Sequence, residues 1–298
     1  MYTTLIETSE LAELLQRLQL RSHPSGAGVS LIDCRFDLSR PDWGATAYAA
    51  GHIPGAVYAH LDHDLSGAVT PESGRHPLPS HEAFAATLGR LGVDRGVQVV
   101  AYDQGNGAYA ARLWWLLRWM GHSRVAVLNG GFAAWQQAAL PVSTAPVSRL
   151  ANFERAPADG AATAAAVTTA ELQGMVGAGD LSSARRALVD ARGADRFAGQ
   201  NETIDPVAGH IPGARNHPFT RNLAAGGHFL GAAELREQWL RTLDGRPPET
   251  VIAMCGSGVT ACHNLLALEV AGLPGGRLYA GSWSEWIRDP RRPIAVGP

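Results

Sequence analysis

The feature that most constrains how this chain can fold is an internal repeat. The segment Gly51-His-Ile-Pro-Gly-Ala56 recurs without a change as Gly209-His-Ile-Pro-Gly-Ala214. Leu188-Val-Asp-Ala-Arg192 likewise repeats Leu31-Ile-Asp-Cys-Arg35, and the offsets between matched segments lie between 151 and 158 residues. A period this long excludes a solenoid of short units, so we expect a tandem duplication of one domain.

Each half alternates short apolar runs with amphipathic segments. In the first half this pattern predicts helices over 9–20, 81–91 (capped by Ser80) and 108–120, strands over 29–33, 57–58, 97–102 and 125–128, and a turn over 48–56. Such alternation is typical of an α/β domain with a mostly parallel sheet flanked by helices. A stretch rich in Ala, Pro, Ser and Thr separates the halves, so we predict domains over 1–143 and 167–298 joined by a linker over 144–166.

The charge balance excludes several classes of function. The 298 residues carry 25 basic and 27 acidic side chains, a net charge of −2, which indicates no nucleic-acid or anionic-membrane surface. Every basic residue in that total is arginine, because the sequence contains no lysine. A phosphate-loop lysine and a Schiff-base lysine are thereby excluded. Arginine or backbone N–H groups must bind any anionic substrate.

Three cysteines in a chain of this length do not form a disulfide framework, which favours a reducing compartment. The N-terminal residues show no basic region followed by an apolar run, and no apolar stretch is long enough to span a membrane. We therefore expect a cytoplasmic protein without a membrane partner.

The strongest chemical signal is the stretch Val251-Ile-Ala-Met-Cys-Gly-Ser-Gly-Val-Thr260. A run suited to a buried strand ends at Cys255, and apolar residues at helical spacing follow the glycines. Cys255 should therefore face the first turn of a helix, where free N–H groups and the helix dipole favour a thiolate nucleophile. Gly256 and Gly258 allow the backbone to curve around the sulfur and add N–H donors. We predict a nucleophilic cysteine in an anion-binding loop.

The other cysteines lack this setting. Cys262 lies on the apolar side of the same predicted helix, so we expect core packing, with a resolving thiol as the lesser alternative. Cys34 ends another strand without a glycine loop and is predicted to be structural. In the first half, Asp103 takes the position of Cys255 and precedes Gln-Gly-Asn-Gly. A carboxylate cannot replace a thiolate as a sulfur nucleophile, so we expect the N-terminal domain to be catalytically inactive.

Two other loop chemistries are less consistent with these residues. Gly256–Ala261 and Gly105–Ala110 both match the G-x-G-x-x-A dinucleotide fingerprint, but neither is followed about 20 residues later by an acid for the ribose. A cysteine phosphatase needs an arginine six positions after its cysteine, and Ala261 stands there. We therefore predict neither activity.

Several histidines are interpreted as structural. His60-Leu-Asp-His63-Asp64 superficially resembles a metal cluster, but no cysteine lies near it in sequence, and a solvated loop is the preferred interpretation. His52 and His210 precede Ile-Pro-Gly in both halves, although only one half has the nucleophile. A role shared by both halves should be structural, and we expect hydrogen bonds that fix the turn. No metal and no organic cofactor is predicted.

Taken together, these residues resemble the two-domain sulfurtransferases of the rhodanese family. The resemblance rests on the two Gly-His-Ile-Pro-Gly-Ala segments, the Cys255 loop and Tyr279-Ala-Gly-Ser-Trp-Ser-Glu-Trp286, and it covers both halves. It implies that Cys255 takes a sulfane sulfur from a donor, becomes a persulfide and transfers the sulfur to a nucleophilic acceptor. The Gly-Ser-Gly loop is similar to that of 3-mercaptopyruvate sulfurtransferases, whereas thiosulfate-preferring members carry basic residues directly after the cysteine.

The resemblance also implies roles for further residues. Arg196 matches a family arginine that binds the donor's carboxylate; an interdomain or surface ion pair is the alternative. A second family arginine, a few residues before Gly-His-Ile-Pro-Gly, has no counterpart in Asn201-Glu-Thr-Ile-Asp-Pro-Val207. The remaining implied site residues are Ser257, His76 and either Asp62 or Asp64 as a hydrolase-like triad, and the backbone of Gly256, Gly258, Val259 and Thr260 as the anion-binding loop.

The expected partners are a small-molecule sulfur donor, either 3-mercaptopyruvate or thiosulfate, and a thiol or cyanide acceptor. A thiol reductant protein is a further possible partner. The alternative function is a persulfide relay, which would receive sulfur from a partner protein and use small donors only incidentally.

Overall fold

The computed structural model describes residues 1–20, 28–148, 150–153, 165–181, 183 and 185–297. The chain forms two compact units. Unit 1 comprises Met1–Gly67, Pro79–Thr163 and Ala225–Phe229, and unit 2 comprises Ala68–Leu78, Ala164–Ala224 and Leu230–Pro298. Each unit therefore includes a short segment from the opposite half of the sequence, and His76 belongs to unit 2.

Unit 1 is a five-stranded, wholly parallel sheet flanked by helices. Its strand order is β1-β5-β4-β2-β3. The strands are β1 (Leu5–Ile6), β2 (Val29–Asp33), β3 (Ala56–Tyr58), β4 (Gln98–Tyr102) and β5 (Val125–Leu128), and the helices are α1 (Thr8–Leu20), α2 (Trp43–Ala50), α3 (His81–Arg90), α4 (Ala110–Trp119) and α5 (Gly131–Gln137). One face of the sheet packs against α1 and α5 through a core that contains Leu31, Val100 and Trp135.

Unit 2 repeats this topology, with the strand order β6-β10-β9-β7-β8 and parallel pairing throughout. The strands are β6 (Ala166–Val167), β7 (Ala187–Asp190), β8 (Arg215–Asn216), β9 (Val251–Met254) and β10 (Arg277–Tyr279), and the helices are α6 (Thr169–Gly177), α7 (Ala194–Phe197), α8 (Ala232–Leu243), α9 (Thr260–Val270) and α10 (Ser282–Trp286). The duplicated α/β fold predicted from the repeat is confirmed.

Most of the predicted elements of the first half agree with the structure within two residues. The strands over 29–33 and 125–128 match in full, and Ser80 caps α3 by accepting a hydrogen bond from the backbone N–H of Ala83 at 3.1 Å. The turn over 48–56 is wrong at its start, because Tyr48 lies inside α2, which ends only before Gly51. Of the linker predicted over 144–166, residues 149 and 154–164 lie outside the described residues.

An Asp-x-Arg pair stabilises the carboxyl end of one central strand in each unit. Arg35 donates to both carboxylate oxygens of Asp33 and to the carbonyl of Gly51, with the shortest Asp33 bond at 2.7 Å. Arg192 does the same with Asp190 and with the carbonyl of Gly209. All four charged side chains are buried. The pair therefore ties the strand end to the repeated Gly-His-Ile-Pro-Gly turn in both units.

The two repeated histidines fix these turns, as the sequence predicts. The Nδ1 atom of His52 lies 2.9 Å from the carbonyl oxygen of Tyr48, and that of His210 lies 2.9 Å from the carbonyl oxygen of Phe197. Each imidazole also stacks on the ring of the same residue, at centroid distances of 4.1 and 3.8 Å. Their role is structural in both units.

Within the part of the chain that the structure describes, no helix is long and apolar enough to cross a membrane.

The Asp-x-Arg pair predicts a clear stability difference. Arg35→Met should lower the free energy of unfolding by about 3–5 kcal/mol, since it leaves the buried Asp33 carboxylate without its counter-charge. Urea unfolding of the full chain measures this. Arg40→Met, which removes an exposed arginine from its ion pair with Asp37, is the matched control and should change the midpoint little. Equal midpoints for the two variants would contradict the proposed role of the pair.

Candidate active site

Cys255 lies where β9 ends at the carboxyl edge of the unit 2 sheet, ahead of α9. The backbone N–H of Gly258 donates to its Sγ atom at 3.1 Å, and the residue is 2% exposed. Val259 is the N-cap of α9, and Thr260 is the first residue of that helix. The predicted strand–loop–helix setting of Cys255 is therefore present, and the loop directs at least one N–H group at the sulfur.

Both glycines of this loop stand where a side chain would collide. Gly258 has a φ of +78°, and a β-carbon there would lie 2.3 Å from the carbonyl oxygen of Ala280. A β-carbon on Gly256 would lie 2.9 Å from Nη2 of Arg75. Glycine is thus required at position 258 by the backbone conformation, and at position 256 it leaves room for the close approach of a guanidinium.

Helix α10 supports the loop from below through its first turn. The Ser282 hydroxyl accepts a hydrogen bond from the backbone N–H of Cys255 at 3.0 Å. The N–H groups of Trp283 and Ser284 donate to the carbonyls of Cys255 and Gly256 at 3.0 and 2.9 Å. The Gly-Ser-Trp-Ser segment therefore fixes the backbone of Cys255 and Gly256, which explains why it accompanies the cysteine loop in this sequence.

Residues 73–76 lie against the same helix and bring His76 to the loop. The backbone N–H of Arg75 donates to the Ser284 hydroxyl at 3.1 Å, and Arg288 donates to the carbonyl of Ser73 at 3.1 Å. Nδ1 of His76 lies 2.7 Å from the hydroxyl oxygen of Ser257. Both side chains of this pair are buried, at 5% and 6% exposure. The structure thus joins two of the residues that the resemblance implied.

Arg196 belongs to a cluster of charged side chains close to the Cys255 loop. Its guanidinium binds Glu202, with an Nη2–Oε1 distance of 2.9 Å, and Asp205, with an Nη2–Oδ2 distance of 3.1 Å. Arg75 forms an ion pair with the other oxygen of Asp205. Asp205 therefore bridges two arginines. Arg196 makes its ion pairs with buried carboxylates of its own unit, and its role in donor binding stays a prediction.

Arg75 and Arg196 also lie close to Gly256, the residue that follows Cys255. A β-carbon on Gly256 would lie 2.9 Å from Nη2 of Arg75 and 3.8 Å from Nη1 of Arg196. Neither of these two nitrogens donates a hydrogen bond to any of the described residues. The side chains are 27% and 19% exposed, whereas those of Asp205 and Glu202 are 2% and 3% exposed. Free N–H donors therefore lie beside the cysteine loop, with buried carboxylates behind them.

The pKa values of Asp205 and Glu202 are shifted in opposite directions. Burial raises the pKa of Asp205, against the opposing attraction of Arg75 and Arg196. For Glu202, burial also acts to raise the pKa, but the hydrogen bonds from Arg196 and from the backbone N–H groups of Asp205 and Ile204 outweigh it and lower the pKa below its usual value. Glu202 is therefore the firmer counter-charge to Arg196.

Asp62 and Asp64, the two candidate acids, both lie in unit 1. The Asp64 carboxylate accepts hydrogen bonds from the backbone N–H of His60 and from Arg90, both at 2.8 Å. The backbone N–H of Asp62 lies 3.1 Å from Nδ1 of His60. Asp64 is thus bound by its own loop and by α3, and the pairing of Asp62 or Asp64 with His76 stays a prediction.

Asp103 occupies the equivalent loop of unit 1, between β4 and α4. One carboxylate oxygen accepts hydrogen bonds from the N–H groups of Gly105 and Gly107, both at 3.0 Å. The other accepts from those of Tyr109 and Ala110, at 2.9 and 3.3 Å. Burial raises the pKa of the carboxyl, and these four bonds act against that rise. The anion-binding loop of unit 1 is therefore filled by the protein's own side chain.

The remaining sequence candidates take no part in this site. Cys262 is fully buried in α9 and its Sγ lies 3.3 Å from the carbonyl oxygen of Gly258, while burial raises the pKa of Cys34 well above its usual range. The rings of His60 and His63 stack at 4.3 Å. Among the described residues, no three His, Cys, Asp or Glu side chains are placed to hold a metal ion.

Sequence reasoning missed three members of the charge cluster, namely Arg75, Glu202 and Asp205. Glu202 and Asp205 lie in the segment 201–207, where the family resemblance implied only an arginine and gave no role to a carboxylate. Arg75 directly precedes His76, so the signal that selected the histidine could have selected the arginine as well. Their convergence depends on the placement of residues 68–78 in unit 2, which no local pattern predicts.

Comparisons with known proteins agree with this architecture. The rhodanese-like domain family matches the chain twice, over residues 9–138 and 168–289. The chain is 47% identical to the "Probable 3-mercaptopyruvate sulfurtransferase" of Pseudomonas aeruginosa, over 96% of this chain and 99% of that protein. It is 33% identical to thiosulfate sulfurtransferase of Cricetulus griseus, over 96% and 93% of the two chains. The crystal structure of SseA from Escherichia coli, described as a 3-mercaptopyruvate sulfotransferase, is similar with a TM-score of 0.74 and 32% identity, over 95% of this chain and 100% of that one.

The filled loop of unit 1 predicts that Asp103→Ala affects stability and not turnover. The substitution leaves four N–H groups without their acceptor and should lower the free energy of unfolding by about 3 kcal/mol. Thermal unfolding and steady-state sulfur transfer on the same preparation check this. Asp94→Ala, which removes a carboxylate that accepts two backbone N–H groups, is the control and should be less destabilising. A loss of turnover in the folded Asp103→Ala variant would contradict the assignment.

Proposed function

The chain belongs to the rhodanese family and is a sulfurtransferase, and we propose that it moves one sulfur atom from 3-mercaptopyruvate to a thiol or cyanide through a persulfide on Cys255. The observation that carries the proposal is the Cys255 sulfur in its N–H-donating loop, beside the free guanidinium nitrogens of Arg75 and Arg196. A loop that donates to sulfur favours the thiolate, and arginine is suited to a carboxylate.

In the first step, the Cys255 thiolate attacks the sulfur of 3-mercaptopyruvate. The new S–S bond forms as the C–S bond breaks, and the bonding electrons leave with the pyruvate enolate. Protonation of that enolate yields pyruvate, and Cys255 holds the transferred sulfur as a persulfide. Arg196, with Arg75 beside it, binds the donor's carboxylate and so directs the distant sulfur towards Cys255.

Ser257 and His76 assist the departure of the enolate. The 2.7 Å contact between the serine hydroxyl and Nδ1 of the imidazole allows the pair to pass a proton or hold a hydrogen bond to the developing enolate oxygen. The hydroxyl at this position suits a carbon leaving group, whereas sulfite leaving from thiosulfate needs no proton from the protein.

In the second step, an acceptor attacks the outer sulfur of the persulfide. Cyanide leaves as thiocyanate, or a thiolate leaves as a new persulfide, and in either case the electron pair of the broken S–S bond returns to Cys255 as the thiolate. The backbone N–H groups of the loop stabilise that thiolate as it forms. A thiol reductant protein could serve as the acceptor by the same chemistry.

The burial of Cys255 favours small donors over a protein donor. At 2% exposure, Cys255 offers a second protein almost no surface to contact, which favours a small donor. Thiosulfate is the second donor that we propose, because it is small and anionic. A relay that accepts sulfur from a partner protein is less consistent with this geometry.

The persulfide step predicts a covalent sulfur on one cysteine. After brief exposure to 3-mercaptopyruvate without an acceptor, intact-protein mass spectrometry should show the gain of one sulfur atom. Cys255→Ser should abolish the gain, and the control Cys262→Ala should keep it, since the Cys262 side chain is core packing. Sulfur loading of the Cys255→Ser variant would overturn the mechanism, and failure of the native protein to load from any small donor would favour the relay.

The carboxylate assignment predicts a binding defect. Arg196→Gln should raise the KM for 3-mercaptopyruvate about tenfold, with a smaller change in kcat, because the lost ion pair acts mainly on donor binding. Steady-state kinetics measure both constants. Arg185→Gln, which removes an exposed arginine paired with Asp180, is the control. An unchanged KM in the Arg196→Gln variant would refute the role of Arg196.

A further inference from the structure

Asp205 is the side chain that joins the two arginines of the donor site. Its Oδ1 pairs with Nη1 of Arg75, and its Oδ2 lies 3.1 Å from Nη2 of Arg196. Its side chain is 2% exposed, so it lies behind the guanidinium groups, out of reach of solvent. The carboxylate therefore holds two like charges side by side without itself being placed to touch a donor.

The charges of this cluster balance. Arg75 and Arg196 are matched by Asp205 and Glu202, while the neighbouring Arg192 is matched by Asp190. Arg192 also lies 3.4 Å from Glu202, so the six side chains form one continuous network. With all six ionised, three arginines face three carboxylates and the formal charge of this network is zero. The Cys255 thiolate adds a negative charge beside it, so the site carries no net positive charge.

A neutral site discriminates between anions of different charge. The desolvation cost of an ion grows with the square of its charge, whereas its attraction to fixed donors grows only in proportion to the charge. A monoanion can exchange its hydration for the free N–H groups beside Gly256. A dianion loses about four times the solvation without a net positive charge to offset the loss.

We propose that Asp205 is a specificity-determining residue, which positions Arg75 and Arg196 and cancels the excess positive charge of the network, so that the site accepts a monoanionic α-keto carboxylate in preference to dianionic thiosulfate. This inference rests on the proposed function of the same site. In this inference, Arg75 acts as the second arginine of the donor site, because the segment 201–207 contains no arginine. The selectivity then lies in the carboxylate behind the arginines as well as in the loop after the cysteine.

The test is the ratio of kcat/KM for thiosulfate to that for 3-mercaptopyruvate, with cyanide as the common acceptor. Asp205→Asn removes one negative charge at nearly constant volume, and the ratio should rise about tenfold. Glu234→Gln removes an exposed carboxylate on α8 of the same unit and is the control that should leave the ratio unchanged. An unchanged or lower ratio in Asp205→Asn would overturn the inference.

Two further variants separate charge from position. Arg75→Gln makes the network negative and should lower the ratio, and the double variant with Asp205→Asn should return it towards the native value. If Asp205 served only to hold the arginines in place, Asp205→Asn would reduce turnover of both donors together, and the double variant would not recover. Should Asp205→Asn fail to fold, the partly exposed Arg75 still tests the inference: an unchanged ratio in Arg75→Gln overturns it.

Mass spectrometry of the same proteins keeps this test distinct from that of the proposed function. Sulfur loading of Cys255 in the native protein, combined with a ratio that does not respond to charge, would refute the inference alone. An absence of loading from both donors in the native protein would refute the proposed function and, with it, the inference.

Discussion

The convergence of backbone N–H groups where a central strand passes into a helix is the constraint on which both units depend. Such a loop has to be filled by an electron-rich group, because buried N–H donors are costly without an acceptor. In unit 1 the Asp103 carboxylate takes four of these donors. In unit 2 the Cys255 sulfur accepts from Gly258. The same backbone arrangement thus surrounds a carboxylate in one unit and the sulfur of the proposed nucleophile in the other.

The two units share the residues that fix the backbone around this loop and differ in the side chains that lie beside it. The Asp-x-Arg pair and the repeated histidine fix the strand end and the turn in both. Among the described residues, unit 2 adds the arginines of the loop, the bridging Asp205 and the Ser257–His76 pair. The two units therefore share a scaffold and differ in the side chains around the loop.

The network behind the loop shows how a buried carboxylate can serve specificity. Arginines alone would produce a strongly positive site that attracts any anion. With Asp205 and Glu202 buried behind them, Arg75 and Arg196 keep free N–H donors without a net charge. In the specificity that we propose, geometry supplies recognition of a carboxylate, and the balance of charge limits which anions gain from binding.

The sequence by itself determined the duplicated α/β fold and the setting of Cys255, because strand and helix periodicity and the glycine pattern are local in the chain. It also indicated the inactivity of the first loop, since Asp103 stands at the aligned position. It missed α2 and assigned the last residues of that helix to a turn, because its Ala- and Gly-containing residues have little polar–apolar contrast. Only the tertiary structure decided that residues 68–78 belong to unit 2, and hence that Arg75 meets Asp205, 130 positions away. Contacts between distant charges depend on chain topology, which no local pattern encodes.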